Sequence, residues 1–296
     1  MSGFLIHHAV AHWARTNPRH PAFRFQGQTL DYEELNRASN RLANTLVARG
    51  VEREDRVGVL MHKSLELGVA LYGILKAGAA FVPLDPFAPV SRLQEILGDC
   101  GIRHVVASDG VMRTLAELPE NHRPEVYGPV PEHGVQTVSW DSIGKASELP
   151  LDLPLIDLDL AYIMYTSGST GGPKGMMHSH RGSLTYARWG AGHVGLSPGD
   201  RVASHAPLHF DLSIFDFFST VQAGGTVVLV PEPVTKFPAS WTQCIEEERI
   251  SVVFTVPFTL IEMLERGAMD KRDLSSLRWV LFGGEPFPPK HLATLM

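Results

Sequence analysis

Cysteine is scarce: Cys100 and Cys244 are the only two in 296 residues, which excludes a disulfide framework and favours a reducing compartment. Basic excess is missing too. The 26 Lys and Arg are outnumbered by 32 Asp and Glu, a formal charge of −6, so the electrostatic footprint of a nucleic-acid-binding surface is absent. No apolar run approaches the ~20 residues that cross a bilayer. The opening Met1-Ser2-Gly3-Phe4-Leu5-Ile6-His7-His8 has neither a basic flank nor a long apolar region. The expectation is a cytoplasmic protein with no nucleic-acid or membrane partner. There is no internal repeat or low-complexity tract. What the chain does have is a 44% hydrophobic content, enough for a sizeable core, and a length that suggests about two globular units.

Periodicity supplies the organisation. Leu5, Ala9, Val10 and Trp13 recur at helical spacing between Phe4 and Thr16, and Asn17-Pro18 stops the run. Asp31 precedes a second helix whose apolar face is Leu35, Ala38, Leu42, Leu46 and Val47, ending at Gly50. Strand and helix signals then alternate: Arg56 to Met61, Leu65 to Lys76, Ala79 to Leu84, Ser91 to Leu97, Arg103 to Ala107 and Gly110 to Leu118. Such alternation predicts an α/β fold of mostly parallel sheets flanked by helices. Pro119 to Pro154 reads as an irregular connection with one short strand near Val135 to Trp140. Beyond it, Ala161 to Thr166, Arg201 to Ala206, Thr226 to Val230, Ser251 to Val256 and Trp279 to Phe282 read as strands with helices between them. The expected division is a first α/β subdomain over 1–154 and a second over 155–296.

The chemistry concentrates in Tyr165-Thr166-Ser167-Gly168-Ser169-Thr170-Gly171-Gly172-Pro173-Lys174-Gly175. Hydroxyls, glycines and one lysine follow an apolar strand, the composition of a loop that wraps a polyphosphate. Glycines admit close approach of backbone amides, hydroxyls donate to phosphate oxygens, and the lysine adds a point charge. A flexible Ser/Gly linker would need neither Pro-Lys-Gly nor a leading Ile163-Met164-Tyr165. A Walker loop places glycine before the lysine and opens a helix, whereas Pro173 precedes Lys174 here and Gly175-Met176-Met177-His178 reads as a returning strand.

On these residues the chain resembles the adenylate-forming superfamily: acyl- and aryl-CoA synthetases, luciferases and the amino-acid-adenylating domains of nonribosomal peptide synthesis. Leu30-Asp31-Tyr32-Glu33-Glu34-Leu35 is similar to the family's first helix signature. Leu75-Lys76-Ala77-Gly78-Ala79-Ala80-Phe81-Val82-Pro83-Leu84-Asp85-Pro86 is similar to its second, and Gly283-Gly284-Glu285-Pro286 to the segment along the adenine. The resemblance implies the layered large N-terminal domain of these enzymes, incomplete at its C-terminal end and lacking the small C-terminal domain. It implies ATP and Mg²⁺ as cofactors. Thr166 and Lys174 become catalytic, and Thr166, Ser167, Gly168, Ser169, Thr170, Gly171, Gly172, Lys174, Gly283, Gly284 and Glu285 become nucleotide-binding.

The amino-acid branch is singled out by Asp211 in Phe210-Asp211-Leu212-Ser213, the position that pairs with a substrate α-ammonium in those members. A carboxylate among Phe210, Leu212, Ile214 and Phe215 needs a cation or a raised pKa; a plain helix cap is the bland alternative. Carried over by position, Leu212, Phe215, Thr255, Leu281 and Gly283 form the side-chain pocket with Asp211. None of those five is charged, which implies a small neutral amino acid. Proline or a comparable residue is possible, since Gly224 to Pro286 resembles stand-alone prolyl-type activating enzymes. The implied reaction makes an aminoacyl-AMP for transfer to the phosphopantetheine thiol of a peptidyl or acyl carrier protein. An acyl- or aryl-CoA ligase of the same superfamily is the alternative, and a non-catalytic binding or regulatory fragment a second. Family members continue past the Gly-Gly-Glu segment to a Tyr-Gly-Pro-Thr-Glu-like motif, a ribose-binding aspartate, a hinge and a catalytic lysine. None occurs in these 296 residues, so the expectation is a truncated chain with impaired adenylation.

Other signals are weaker. Gly190-Ala191-Gly192-His193-Val194-Gly195 spells a dinucleotide fingerprint but follows a helix, which suits a helix end and turn. His7, His8 and His12, His178 and His180, and His205 and His209 lack further ligands and read as packing or surface residues, with no metal site assigned.

Overall fold

The structure, a computed structural model, describes residues 3–167 and 172–295. It forms two compact units. One joins the chain up to Arg19 with Tyr32–Thr185, and the other joins His20–Asp31 with the chain from Tyr186 onward. Strands are numbered along the chain, so the hairpin of β1 (Pro21–Phe25) and β2 (Gln28–Asp31) belongs to the second unit. The sequence pattern gave no warning of this hairpin, although Gln26 and Gly27 at its tip both have positive φ.

The first unit is built on β3 (Arg56–Leu60), β4 (Ala80–Pro83), β5 (His104–Ala107), β6 (Glu125–Gly128), β7 (Thr137–Ser139), β8 (Leu160–Ser167) and β9 (Pro173–Ser179). They lie in the order β7-β6-β5-β3-β4-β8-β9, all parallel except the antiparallel β8–β9 pair. Val57 to Leu60 and Ala80 to Pro83 are buried without alternation, as parallel strands covered on both faces require. The unit also holds α1 (His8–Thr16), α2 (Tyr32–Ala48), α3 (Leu65–Lys76) and α4 (Val90–Asp99). A Cβ at Gly73 of α3 would stand 2.7 Å from Leu42 of α2, so glycine sets how closely these helices approach. At the end of α3, Lys76 Nζ lies 2.8–3.0 Å from Asn36 O, Asn36 Oδ1, Ser39 Oγ and Asn40 Oδ1. Burial pushes this ammonium down to about 7.

Two expectations need correcting. The Pro119–Pro154 segment contributes two sheet strands, not one; β6 was missed because Val126 and Tyr127 are too short an apolar run to show periodicity. The subdomain boundary also moves from 154/155, because β8 pairs with β4 and thereby carries the loop hairpin into the first unit.

The second unit adds β10 (Arg201–Ser204), β11 (Thr226–Leu229), β12 (Val252–Thr255) and β13 (Trp279–Phe282) to the hairpin, in the order β13-β12-β10-β11-β1-β2. Helices Pro238–Glu247 and Pro257–Arg266 cover one face through Trp241, Ile245, Leu260 and Met263. On another side, Val194, Val202, Phe215 and Val252 cluster with Phe254 and Leu281. Helix His180–Val194 ends in a left-handed Gly195 (φ +63°), with Leu196 N–H donating to Ala191 O, which confirms the helix-end reading of the Gly190–Gly195 run. Gly190 itself is needed for packing: a Cβ there would lie 2.8 Å from Ser219 Oγ and 3.0 Å from the Phe215 ring.

Candidate active site

The Ser/Gly-rich loop joins β8 to β9. Its two flanks are in register, Thr166 opposite Lys174 and Ser167 opposite Pro173, so the first hydroxyl and the lysine sit across from each other at the hairpin mouth, both exposed. The segment after the loop is a strand, as read from sequence, and this separates the site from a Walker loop. Gly168, Ser169, Thr170 and Gly171 lie outside the described residues. Gly172 is a half-buried bend.

Beneath the mouth, a Cβ on Gly175 would come within 3.0 Å of Ile163 Cγ2 and 3.1 Å of Tyr165 Cζ, so the returning strand passes against the Tyr165 ring. The Tyr165 hydroxyl donates to Asp99 Oδ2 at 2.5 Å. Burial first, and then that hydrogen bond, push the phenol up. Further along the hairpin, His178 stacks on Tyr162 at 4.5 Å and Tyr162 on Phe81 at 5.3 Å.

In the second unit, Asp211 occupies the N-cap position of the short helix Leu212–Ile214, but its side chain makes no capping hydrogen bond and is exposed. The apolar enclosure expected from its neighbours is thus absent, since Phe210 points outward at 53% exposure. Nearby, burial first and then the carboxylates of Asp216 and Asp211 push the Tyr186 phenol up. Asp216 is fully buried in the π-helical turn Phe215–Ser219, whose widened register follows directly on Leu212–Ile214.

Of the pocket residues, Phe215 and Leu281 meet in one cluster, whereas Leu212 is half-buried outside its core. Thr255 does not join them. Its hydroxyl pairs with His205 Nδ1 at 3.2 Å, and the His205 ring rests on Trp241 in the opposite layer. Strand alternation places Phe254 on the Phe215 side instead: the two rings meet edge-to-face at 5.6 Å, Phe254 pairs in register with Leu281, and a Cβ on Gly283 would touch its ring at 3.8 Å. The i, i+2 alternation of β12 is the sequence signal that sets Phe254, and not its neighbour Thr255, on the face shared with Phe215 and Leu281.

Gly283 N–H donates to Thr255 O, and Gly284 adopts φ +90°, a left-handed conformation suited to glycine. Glu285 has structural work: its Oε1 accepts the Phe258 N–H at 2.7 Å and caps helix Pro257–Arg266, where Pro257 offers no N–H.

Two mostly parallel sheets flanked by helices, one ending in an antiparallel hairpin that carries a Ser/Gly/Lys loop, define the α/β class of the fold. The chain belongs to the AMP-binding enzyme family, whose profile matches residues 10–296. It is 36% identical over 291 residues to an L-proline–[L-prolyl-carrier protein] ligase of Pseudomonas fluorescens, covering 98% of this chain and 58% of that protein. It is 35% identical to tyrocidine synthase 2 of Brevibacillus parabrevis, covering 94% of this chain and 7% of that one. Among solved structures, the nonribosomal peptide synthetase FmoA3 bound to α-methyl-L-serine-AMP matches with a TM-score of 0.86 at 31% identity, over 98% of this chain and 31% of its own. The N-terminal domain of FACL13 from Mycobacterium tuberculosis matches at 0.83 and 25% identity, with 73% of it covered. The fold is therefore that of the N-terminal domain of adenylate-forming enzymes, and the chain spans just over half the length of its proline-ligase relative.

Proposed function

We propose that this chain carries the ATP- and amino-acid-binding part of a ligase that activates a small neutral amino acid, proline or one of similar size, as its aminoacyl-AMP for transfer to a carrier-protein thiol. The observation that carries the reading is the β8–β9 hairpin, which presents Thr166 and Lys174 face to face at the mouth of a Ser/Gly loop in an AMP-binding family member. The named relatives support both the amino acid and the carrier protein, and FmoA3 complexes with AMPPNP and an aminoacyl-AMP analogue support ATP.

The chemistry needs no protein nucleophile. The substrate carboxylate is ionised at neutral pH, so its oxygen attacks the α-phosphorus while the bond to the β-phosphate breaks and pyrophosphate departs. The carrier thiol then attacks the acyl carbon and releases AMP. The barrier lies in aligning two anions, so catalysis consists of positioning and charge neutralisation. In this reading Thr166 and Lys174 serve the phosphates. Asp211, exposed and making no capping hydrogen bond, serves the α-ammonium, and Phe215, Phe254, Leu281 and Gly283 serve the substrate side chain. Gly283 and Gly284 offer a slim backbone to the adenine, and Glu285 holds that turn in place through Phe258. Among the described residues no three His, Cys, Asp or Glu side chains gather as a ready metal set; the Mg²⁺ that the family resemblance implies would supply charge neutralisation at the substrate phosphates.

Amino-acid-dependent exchange of labelled pyrophosphate into ATP, measured on the whole ligase of which this chain is a part, tests the reading. Proline and other small neutral amino acids should support exchange, and Asp211→Ala should abolish most of it. Exchange driven by a plain carboxylic acid and indifferent to Asp211→Ala would replace this reading with a CoA-ligase activity.

A further inference from the structure

The phosphate-loop hairpin is gripped from one side by α4. Glu95 and Asp99 are one helical turn apart and so share a face of that helix. Asp99 accepts the hydroxyl hydrogen of Tyr165, the residue just before Thr166 on the strand entering the loop. Glu95 lies at the other flank, its Oε1 3.8 Å from where a Cβ on Gly172 would stand. The helix beneath is a fixed base: Leu93, Ile96 and Leu97 are buried in the unit's core, and the Cys100 carbonyl just past its end accepts the Arg56 Nε–H at 2.8 Å. On its second side Tyr165 lies against Gly175 of the returning strand, where a Cβ would stand only 3.1 Å from the ring's Cζ. Because neighbouring strand residues point to opposite faces, anchoring Tyr165 inward sets the outward aim of Thr166, which faces Lys174 across the hairpin.

We propose that the Asp99–Tyr165 hydrogen bond is a positioning strut that holds Thr166 and Lys174 in register for phosphate binding. Neither residue touches the nucleotide; both act through the hairpin. The proposal rests on the reading of this loop as a phosphate site.

The test compares Tyr165→Phe, Asp99→Ala, their combination, the conservative Asp99→Asn, and Lys174→Ala as a direct-contact reference. ATP affinity is measured by calorimetry, and amide hydrogen exchange is followed over residues 172–176. Each strut variant should weaken ATP binding about fivefold to tenfold and speed exchange at 172–176. The double variant should be no weaker than the worse single one, because both remove the same bond. Asp99→Asn, which keeps an acceptor, should recover most of the affinity. A purely structural role would lower the melting temperature and leave the affinity of the folded protein and the non-additivity unmoved. ATP affinities within twofold of the parent chain, or effects that simply add, would overturn the strut. Should neither the parent chain nor Lys174→Ala bind ATP, the phosphate reading falls, and the strut is then decided by exchange alone: acceleration in both single variants upholds it, unchanged exchange overturns it.

Discussion

Lys174 and Asp211 are chemically unlike, yet each is an exposed charge at the tip of an element. Their removal should therefore cost binding without costing the fold. Lys174→Ala should weaken ATP roughly tenfold or more, as expected for a charge-assisted contact of about 1.5–3 kcal/mol, with an unchanged melting temperature. Calorimetry and thermal unfolding read the two effects separately. Phe254 is the opposite case. Half-buried between the Phe215 ring and the Gly283 backbone, it belongs to the packing and, in the proposed function, also to the pocket. Phe254→Ala should destabilise by roughly 2–3 kcal/mol, below the 3–5 of a fully buried aromatic, and should shift amino-acid preference in pyrophosphate exchange toward larger side chains. Thr255→Ala should leave that preference in place, because its hydroxyl is spent on His205.

The loop hairpin and helix His180–Val194 show how strand and helix ends are pinned by distant side chains. Arg278, just before β13, donates to both Asp200 oxygens (Nε at 2.7 Å, Nη2 at 2.9 Å) and to the Val194 and Gly195 carbonyls at the end of that helix. Asp200 also accepts from Ser197 and Ser251. Burial opposes its charge, but the hydrogen bonds from Arg278, Ser251 and Ser197 win and pull its carboxyl down to about 2. Arg278→Ala leaves Asp200 buried without its cation and should cost roughly 2–4 kcal/mol in a denaturant titration, the lower end reflecting a guanidinium that is 37% exposed. Stability from this carboxylate is present above its ordinary value of 3.8 and is lost as pH falls toward 2, so the variant should also be less sensitive to acid in that window.

The pH response of the first unit has a different origin. His7 and His180 are buried side by side, ring centroids 5.6 Å apart, and the Ile6 N–H donates to His180 Nδ1. Burial pushes both imidazoles down, His180 to about 4, while the unfolded chain protonates near 6.5. Between those values the unfolded state binds the extra proton, so stability is intact above pH 6.5 and drains away as pH falls toward 4, by roughly 3 kcal/mol for His180. Lys76 acts in the same sense at higher pH, with stability rising from about 7 to 10.5. The melting temperature of the parent chain should fall between pH 6.5 and 4, and His180→Gln should flatten that slope; a flat profile in the parent would refute the assignment. Local pattern sufficed for what depends on neighbours in the chain. It determined the alternating α/β order, the span Leu65–Lys76, the strand Trp279–Phe282, the returning strand after the loop and the family motifs, because apolar period and turn chemistry are written within a dozen residues. Only the tertiary structure decided the rest: that β1–β2 leaves its neighbours for the second unit, that Val126 and Tyr127 make a sheet strand, that Phe254 and not Thr255 joins Phe215, that Glu285 caps a helix, and that Asp99 holds Tyr165. Each depends on pairing or packing between residues far apart in sequence, whose energy exists only once the sheets have formed.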